Sequence, residues 1–136
     1  MGTIGYAELS YAKQNSLPVA AIQNQAGTFV TPSPESASAA IEAFSAVLAQ
    51  DARSPIVDPP ALAKEAYPIS GLTFVLVARD GTGTEERQAI KDFIQYAATT
   101  GQSVAEELSY AQLPASLQQL DLKLFGGMMA DGQPLK

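Results

Sequence analysis

Residue types and spacing suggest ligand chemistry most clearly at Asp80-Gly81-Thr82-Gly83-Thr84, a glycine- and threonine-rich turn between an apolar run and a helix-forming stretch. Free amides at such a helix start can hold a phosphate group. The Gly-Lys-Ser/Thr ending of a P-loop is missing, and Asp80, Glu85 and Glu86 would repel an anion. The pattern therefore predicts a capped surface turn, with Thr82 and Glu85 forming a capping box. Ser10 and Lys13, three apart on a predicted helix, could in principle make a Ser/Lys nucleophile pair, but that spacing is also an ordinary pair on a helix surface. Glu35, Glu42, Asp51, Asp58 and Glu65 follow no metal-loop spacing and read as solvated carboxylates. Tyr6, Tyr11, Tyr67, Tyr96 and Tyr110 could stack a ligand, or pack at layer edges as amphipathic rings. The sequence contains no cysteine and no histidine, which removes disulfides, thiol nucleophiles, His-dependent triads and the usual zinc ligand sets. No catalytic, cofactor-binding or metal-binding residue is assigned, and the chain is expected not to be an enzyme.

The elements that must position these residues follow from local pattern. Residues 3–6 read as a short strand, and 7–15 as a helix stopped before Pro18. Residues 19–23 and 27–30 form a predicted hairpin around Asn24-Gln25-Ala26-Gly27. Ser33 as cap and Pro34 at the first helical position start a helix over 34–50, with Ala37, Ala40, Ile41, Phe44, Val47 and Leu48 on its core face. Residues 51–68 carry four prolines and read as an extended connector. Residues 69–78, β-branched and almost unbroken in apolar character, have the pattern of a central strand covered on both faces. A helix from about Thr84 carries Ile90, Phe93, Ile94 and Ala97 as its apolar stripe and stops at Gly101. A short helix over 102–108 turns Val104, Ala105 and Leu108 inward. A last helix follows Pro114, with Leu117, Leu120 and Leu124 in register, and ends at Gly126-Gly127 before a tail over 128–136.

Composition bounds the class. A chain of 136 residues makes about one domain, and one of that size buries roughly 68% of its unfolded surface. With 46% hydrophobic and 16% charged residues it is neither disordered nor low in complexity. Eight basic against 14 acidic side chains leave a net charge of −6, which disfavours nucleic acid and anionic membranes at long range. The N-terminus has neither the basic region nor the apolar run of a signal peptide, and the apolar stretch 72–78 is far short of the roughly 20 residues that span a bilayer.

Several segments, in collinear order, carry a family resemblance. Ile4-Gly5-Tyr6, Tyr11-Ala12-Lys13-Gln14-Asn15 and Leu17-Pro18 are followed by Gly27, Phe29-Val30, Pro32-Ser33 and Glu35-Ser36. Then come Ala66-Tyr67-Pro68-Ile69 with Phe74-Val75-Leu76-Val77, Ile90-Lys91-Asp92-Phe93, Gly101-Gln102, Leu108-Ser109-Tyr110-Ala111-Gln112-Leu113-Pro114, and Asp131-Gly132-Gln133-Pro134-Leu135. Together they resemble the C-terminal portion of phosphate-binding proteins of the PstS type, the periplasmic substrate-binding subunits of the phosphate ABC transporter. Residues 44–60 depart from the family in detail.

The resemblance implies an α/β fold, part of a type II periplasmic-binding-protein architecture with segments of two α/β lobes joined by a hinge crossing. Residues 1–63 would complete the second lobe, and 64–136 would supply the hinge and the return segment of the first. In the family the anion is held by backbone amides, Ser and Thr hydroxyls, an Arg, and an Asp that accepts a hydrogen bond from the protonated ligand. Such convergent donors suit a dehydrated dianion, and one acceptor distinguishes phosphate from sulfate. Those contacts belong to segments upstream of the matched part, so no substrate-binding residue is carried over. The implied function is the phosphate-binding component of an importer. Inorganic phosphate and the ABC permease would be its partners, without a cofactor, and the parent protein would work in the periplasm. The alternative is a stand-alone interaction or regulatory module without a transport role. A chain holding pieces of two lobes is expected to be marginally stable, or to associate with itself or with the missing N-terminal part.

Overall fold

The computed structural model describes residues 2–136 as six helices and two small antiparallel sheets, a mixed helix and strand architecture. The chain opens in exposed coil. Ile4 and Tyr6 are fully exposed, so the strand expected over 3–6 does not form: four residues without a pairing partner have no ladder to join. Helix α1 (Leu9–Gln14) follows inside the predicted 7–15, with Ala12 buried. The expected hairpin is present as β1 (Ile22–Gln23) and β2 (Phe29–Val30), pairing Ile22 with Val30 and Gln23 with Phe29. Its turn closes through Gly27, whose φ of 80° lies in the left-handed region.

Helix α2 (Pro34–Ala43) starts as its sequence directs. The Ser33 hydroxyl accepts from the Ser36 amide at 3.1 Å, the Ser36 hydroxyl accepts from the Ser33 amide at 2.9 Å, and Pro34 occupies the first turn. The single helix expected over 34–50 is broken at Phe44 (φ −106°, ψ 7°) and restarts as α3 (Ser45–Leu48). The break turns Leu48 into a core with Ile41, Ile56 and Leu117, flanked by Phe44, Leu72, Ala111, Leu113 and Leu120, while Val47 is left exposed. This core joins the first part of the chain to residues 111–120. The Ser38 hydroxyl adds a bond to the Gln112 carbonyl at 3.2 Å.

Residues 51–68 run without helix or strand, as their prolines require. They are tied down by hydrogen bonds from the Asp58 amide to the Pro68 carbonyl (2.8 Å) and from the Tyr67 amide to the Ser36 carbonyl (3.0 Å). Asn24 makes the most concentrated of these ties. Its buried amide nitrogen donates to the Lys64 and Ala66 carbonyls at 2.9 and 3.2 Å, while its oxygen accepts from the Ala26 and Thr28 amides, each at 3.1 Å.

The central strand expected over 69–78 does not form. The segment is without helix or strand and lies largely in solvent, with Leu76 93% exposed and Ile69, Phe74 and Val75 more than half so. A buried strand needs neighbours to take its amides and carbonyls. Among the described residues these come only at its end, where Arg87 donates to the Ala78 carbonyl and, just beyond, the Met129 and Asp131 amides donate to the Arg79 and Gly81 carbonyls at 2.8 and 2.9 Å.

Helix α4 (Thr84–Ala98) is capped by Gly83 with no side-chain hydrogen bond, so the Thr82–Glu85 capping box is absent. Gly83 takes a φ of 86°, which turns the chain into the helix without help from Thr82. The stripe that α4 buries is Arg87, Ile94 and Ala98. Of the expected set only Ile94 is buried, and Ile90, Phe93 and Ala97 face solvent. Helix α5 (Gln102–Glu107) buries none of its residues, and Val104 and Leu108 are exposed, contrary to the inward placement of Val104, Ala105 and Leu108. Helix α6 (Ala115–Gly126) buries Leu117, half-buries Leu120, exposes Leu124, and ends at Gly126-Gly127 as expected. The tail is not loose: β3 (Met129–Ala130) and β4 (Gln133–Pro134) form a hairpin across Asp131-Gly132. Both turn residues have positive φ, 50° and 74°, as a type I′ turn needs. Met128, Ala130 and Leu135 make a second core against Val77 and Phe125.

Candidate functional site

The Asp80–Thr84 turn sits where the chain leaves the apolar run for α4. Asp80 folds back on its own loop, its Oδ1 accepting from the Gly81 amide at 2.8 Å and, at 3.4 Å, from Gly132. Gly81 is crowded by the buried Arg87, whereas Gly83 is required by its φ of 86°, Glu86 being an exposed side chain free to move aside. A Cβ on Gly81 would stand 2.8 Å from Arg87 Nη1, and one on Gly83 would stand 2.6 Å from Glu86 Oε2. The side chains that close over the loop are thus a buried guanidinium on one side and a carboxylate on the other. Arg87 is only 8% exposed, and two of its donors are engaged by backbone: Nε bonds the Met129 carbonyl at 2.5 Å and Nη2 the Ala78 carbonyl at 2.7 Å. With Asp80, Glu85 and Glu86 around it, the loop acts as a clamp between α4, the apolar run and the C-terminal hairpin rather than as an anion cradle.

The other singled-out residues are dispersed. No hydrogen bond joins Ser10 to Lys13. The Lys13 ammonium instead acts on Glu35, whose carboxyl is held below its ordinary range chiefly by the Ser33 hydroxyl. Glu35 and Glu65 line an open cleft of about 420 Å³ with Thr28, Phe29, Thr31 and Ser33. Asp51 pairs with Arg53 at 2.9 Å on an exposed turn, and these hydrogen bonds lower its carboxyl to about 2. Asp58 accepts from the Gln25 side chain at 2.9 Å, and Glu42 is exposed. Among the described residues, no three acidic side chains gather as metal ligands would. The tyrosines lie on separate elements. Tyr110 donates to Glu8 at 2.9 Å, Tyr67 is half-buried near the end of the connector, and Tyr6, Tyr11 and Tyr96 are exposed.

Sequence reasoning missed three features that organise the molecule. Arg87 reads as a surface residue in the first turn of a helix, and nothing local reveals that two carbonyls distant from it will claim its fork. The Asn24 cross-link depends on residues forty positions away. The Asp131-Gly132 turn, by contrast, carries a strong hairpin signal in its residue types. What the arrangement offers chemically is scaffold: exposed apolar side chains on the run (Phe74, Val75, Leu76) and on α4 (Ile90, Phe93), the two segments that Arg87 ties together. Among the described residues, no helix is long and apolar enough to cross a membrane.

No family model matches the chain. It is similar to the phosphate-binding protein PstS of Xylella fastidiosa (strain 9a5c), 38% identical over 116 residues, which are 85% of this chain and 31% of that protein. The PstS of Haemophilus influenzae is 36% identical over 85% of the chain and 34% of its own length. That of Methanocaldococcus jannaschii is 36% identical over 88% of the chain and 33% of its own length. The chain thus spans about a third of the length of the curated relatives it matches.

Proposed function

We propose, from the homology of this chain to one third of the phosphate-binding protein PstS, that it is the C-terminal portion of the phosphate-binding component of an ABC phosphate importer. Its role is to capture and deliver the anion stoichiometrically, without bond chemistry. The observation that carries this reading is the extent of the match: 38% identity over 85% of this chain but only 31% of the relative. The unpartnered apolar run over 69–78 supports it, since a segment with the pattern of a covered strand has the surface of an element whose neighbours lie in another part of the polypeptide.

On this reading residues 1–63 finish one lobe of a type II periplasmic-binding-protein fold. Residues 64–136 cross the hinge and return to the other lobe. The groups that grasp phosphate lie upstream, the parent protein works outside the cytoplasmic membrane, and its partners are inorganic phosphate and the permease. Calorimetric titration with phosphate tests the assignment. The chain alone is expected to bind no phosphate tightly, and a mixture with the N-terminal two thirds of the Xylella fastidiosa relative is expected to restore binding. Tight binding by the 136 residues alone overturns it. A cooperative monomer that neither binds phosphate nor takes up the complementary part favours the stand-alone interaction module instead.

A further inference from the structure

Between α4 and α6 lies a groove of about 210 Å³, walled by Ile94 and Ala98 on one helix and by Leu122, Phe125 and Gly126 on the other. One carboxyl, that of Asp121, stands in this apolar wall. It is half-buried, and burial alone acts on it, raising it above the ordinary aspartate range. Among the described residues no cation stands within ion-pair distance, since the pair at Asp51 and Arg53 is the one formed. Lys91 also lines the groove, but its ammonium donates to the Leu135 carbonyl at 3.1 Å and forms no ion pair with Asp121. A desolvated carboxylate without a donor costs free energy, and the cost is recovered when a cation arrives with hydrogen bonds to offer. The space is smaller than the roughly 300–1,000 Å³ of small-molecule sites. It fits one long side chain whose stem is apolar and whose head is charged.

We propose that the α4–α6 groove is a docking site for a basic side chain, lysine or arginine, presented by a partner polypeptide, with its stem against Ile94, Ala98 and Phe125 and its head on Asp121. The net charge of −6 favours approach of a basic partner. The site stands apart from the phosphate reading and would remain if that reading failed.

The test is a titration of the full 136-residue chain, followed by amide ¹H–¹⁵N NMR, with an acetylated and amidated Gly-Leu-Arg-Leu-Gly peptide. Its counterpart carries citrulline, the uncharged isostere of arginine. The arginine peptide is expected to shift the amides of Ile94, Ala98, Leu122 and Gly126. The citrulline peptide, or the Asp121→Asn chain, is expected to bind about tenfold more weakly. Ala98→Leu, which fills the groove from the other helix and keeps the carboxylate, is expected to weaken binding similarly. Equal binding of the two peptides, unaltered binding to Asp121→Asn, or shifts located elsewhere would overturn the proposal. So would a dimer of the chain itself that Asp121→Asn abolishes, because the occupant would then be a second copy.

Discussion

Arg87 Nε donates to the Met129 carbonyl at 2.5 Å, joining residues forty-two positions apart, while Nη2 of the same guanidinium holds the Ala78 carbonyl at 2.7 Å. One buried fork therefore ties the end of the apolar run and the C-terminal hairpin to the first turn of α4. Arginine suits the task because its planar donors meet two acceptors at once. Arg87→Met keeps much of the apolar stem but leaves two carbonyls without a strong donor. It is expected to cost about 2–4 kcal/mol in urea denaturation. Arg87→Lys retains the charge but not the fork and should lose roughly half as much. A Met variant as stable as the parent would show that water replaces the fork at no cost.

Asn24 is the corresponding tie at the other end. Its side chain satisfies four backbone groups, two within its own hairpin turn and two in the connector at Lys64 and Ala66. Asn24→Ala orphans groups in a buried place and is expected to cost about 2–4 kcal/mol. Hydrogen exchange should speed up at the Ala26 and Thr28 amides, and proteolysis should appear within residues 58–68. Asn24→Asp keeps the two accepted bonds and loses the donors. It should open the connector while leaving the turn amides protected, a split that separates the two halves of the network.

How much was legible depended on whether a feature was local. The Ser33-Pro34 helix start, the Asn24–Gly27 hairpin and the Gly126-Gly127 stop are written in four or five adjacent residues each, and all three formed. The covered strand over 69–78 and the stripe Ile90, Phe93 and Ala97 were read from apolar periodicity, which reports what a segment could bury rather than what is present to bury it. Both lie exposed. The helix break at Phe44 has the same origin, since the pull of Ile56 and Leu117 on Leu48 is tertiary. Of the candidate loop, the glycines and threonines were visible in the sequence. The guanidinium that closes over them was not, because its acceptors belong to distant segments.

The exposed apolar side chains are themselves testable. Phe74, Leu76 and Phe93 lie more than half in solvent, so replacing them removes little buried area and should change monomer stability by no more than about 0.5 kcal/mol. Their contribution to association is a different matter, because large apolar side chains left in solvent are sticky. Leu76→Ser combined with Phe93→Ser is expected to lower dye binding to exposed apolar surface and to shift size-exclusion elution towards the monomer. An unchanged elution profile would show that these side chains do not drive self-association.

Two carboxyls are displaced in opposite directions, and their pH signatures differ in sign. Asp51 is held at about 2 by Arg53. A group with a depressed folded-state value stabilises above its unfolded value, ordinarily about 3.9, and loses that contribution as pH falls through the folded value. The pair lies at the surface, so stability should barely register it. The check is the Asp51 carboxyl ¹³C titration, with a midpoint near 2 that moves upward in Arg53→Gln. Asp121 is raised by burial, with Lys91 on the facing helix bonded to Leu135 instead of to it. Its protonated form is the one the fold prefers. It therefore disfavours the folded state once pH rises above its unfolded value, with the full effect reached above its folded value. Asp121→Asn should accordingly raise the urea midpoint at pH 7 and make little difference at pH 3. A variant less stable than the parent at pH 7 would mean that the carboxylate is paired after all, which would remove the reason for a basic side chain to enter the groove.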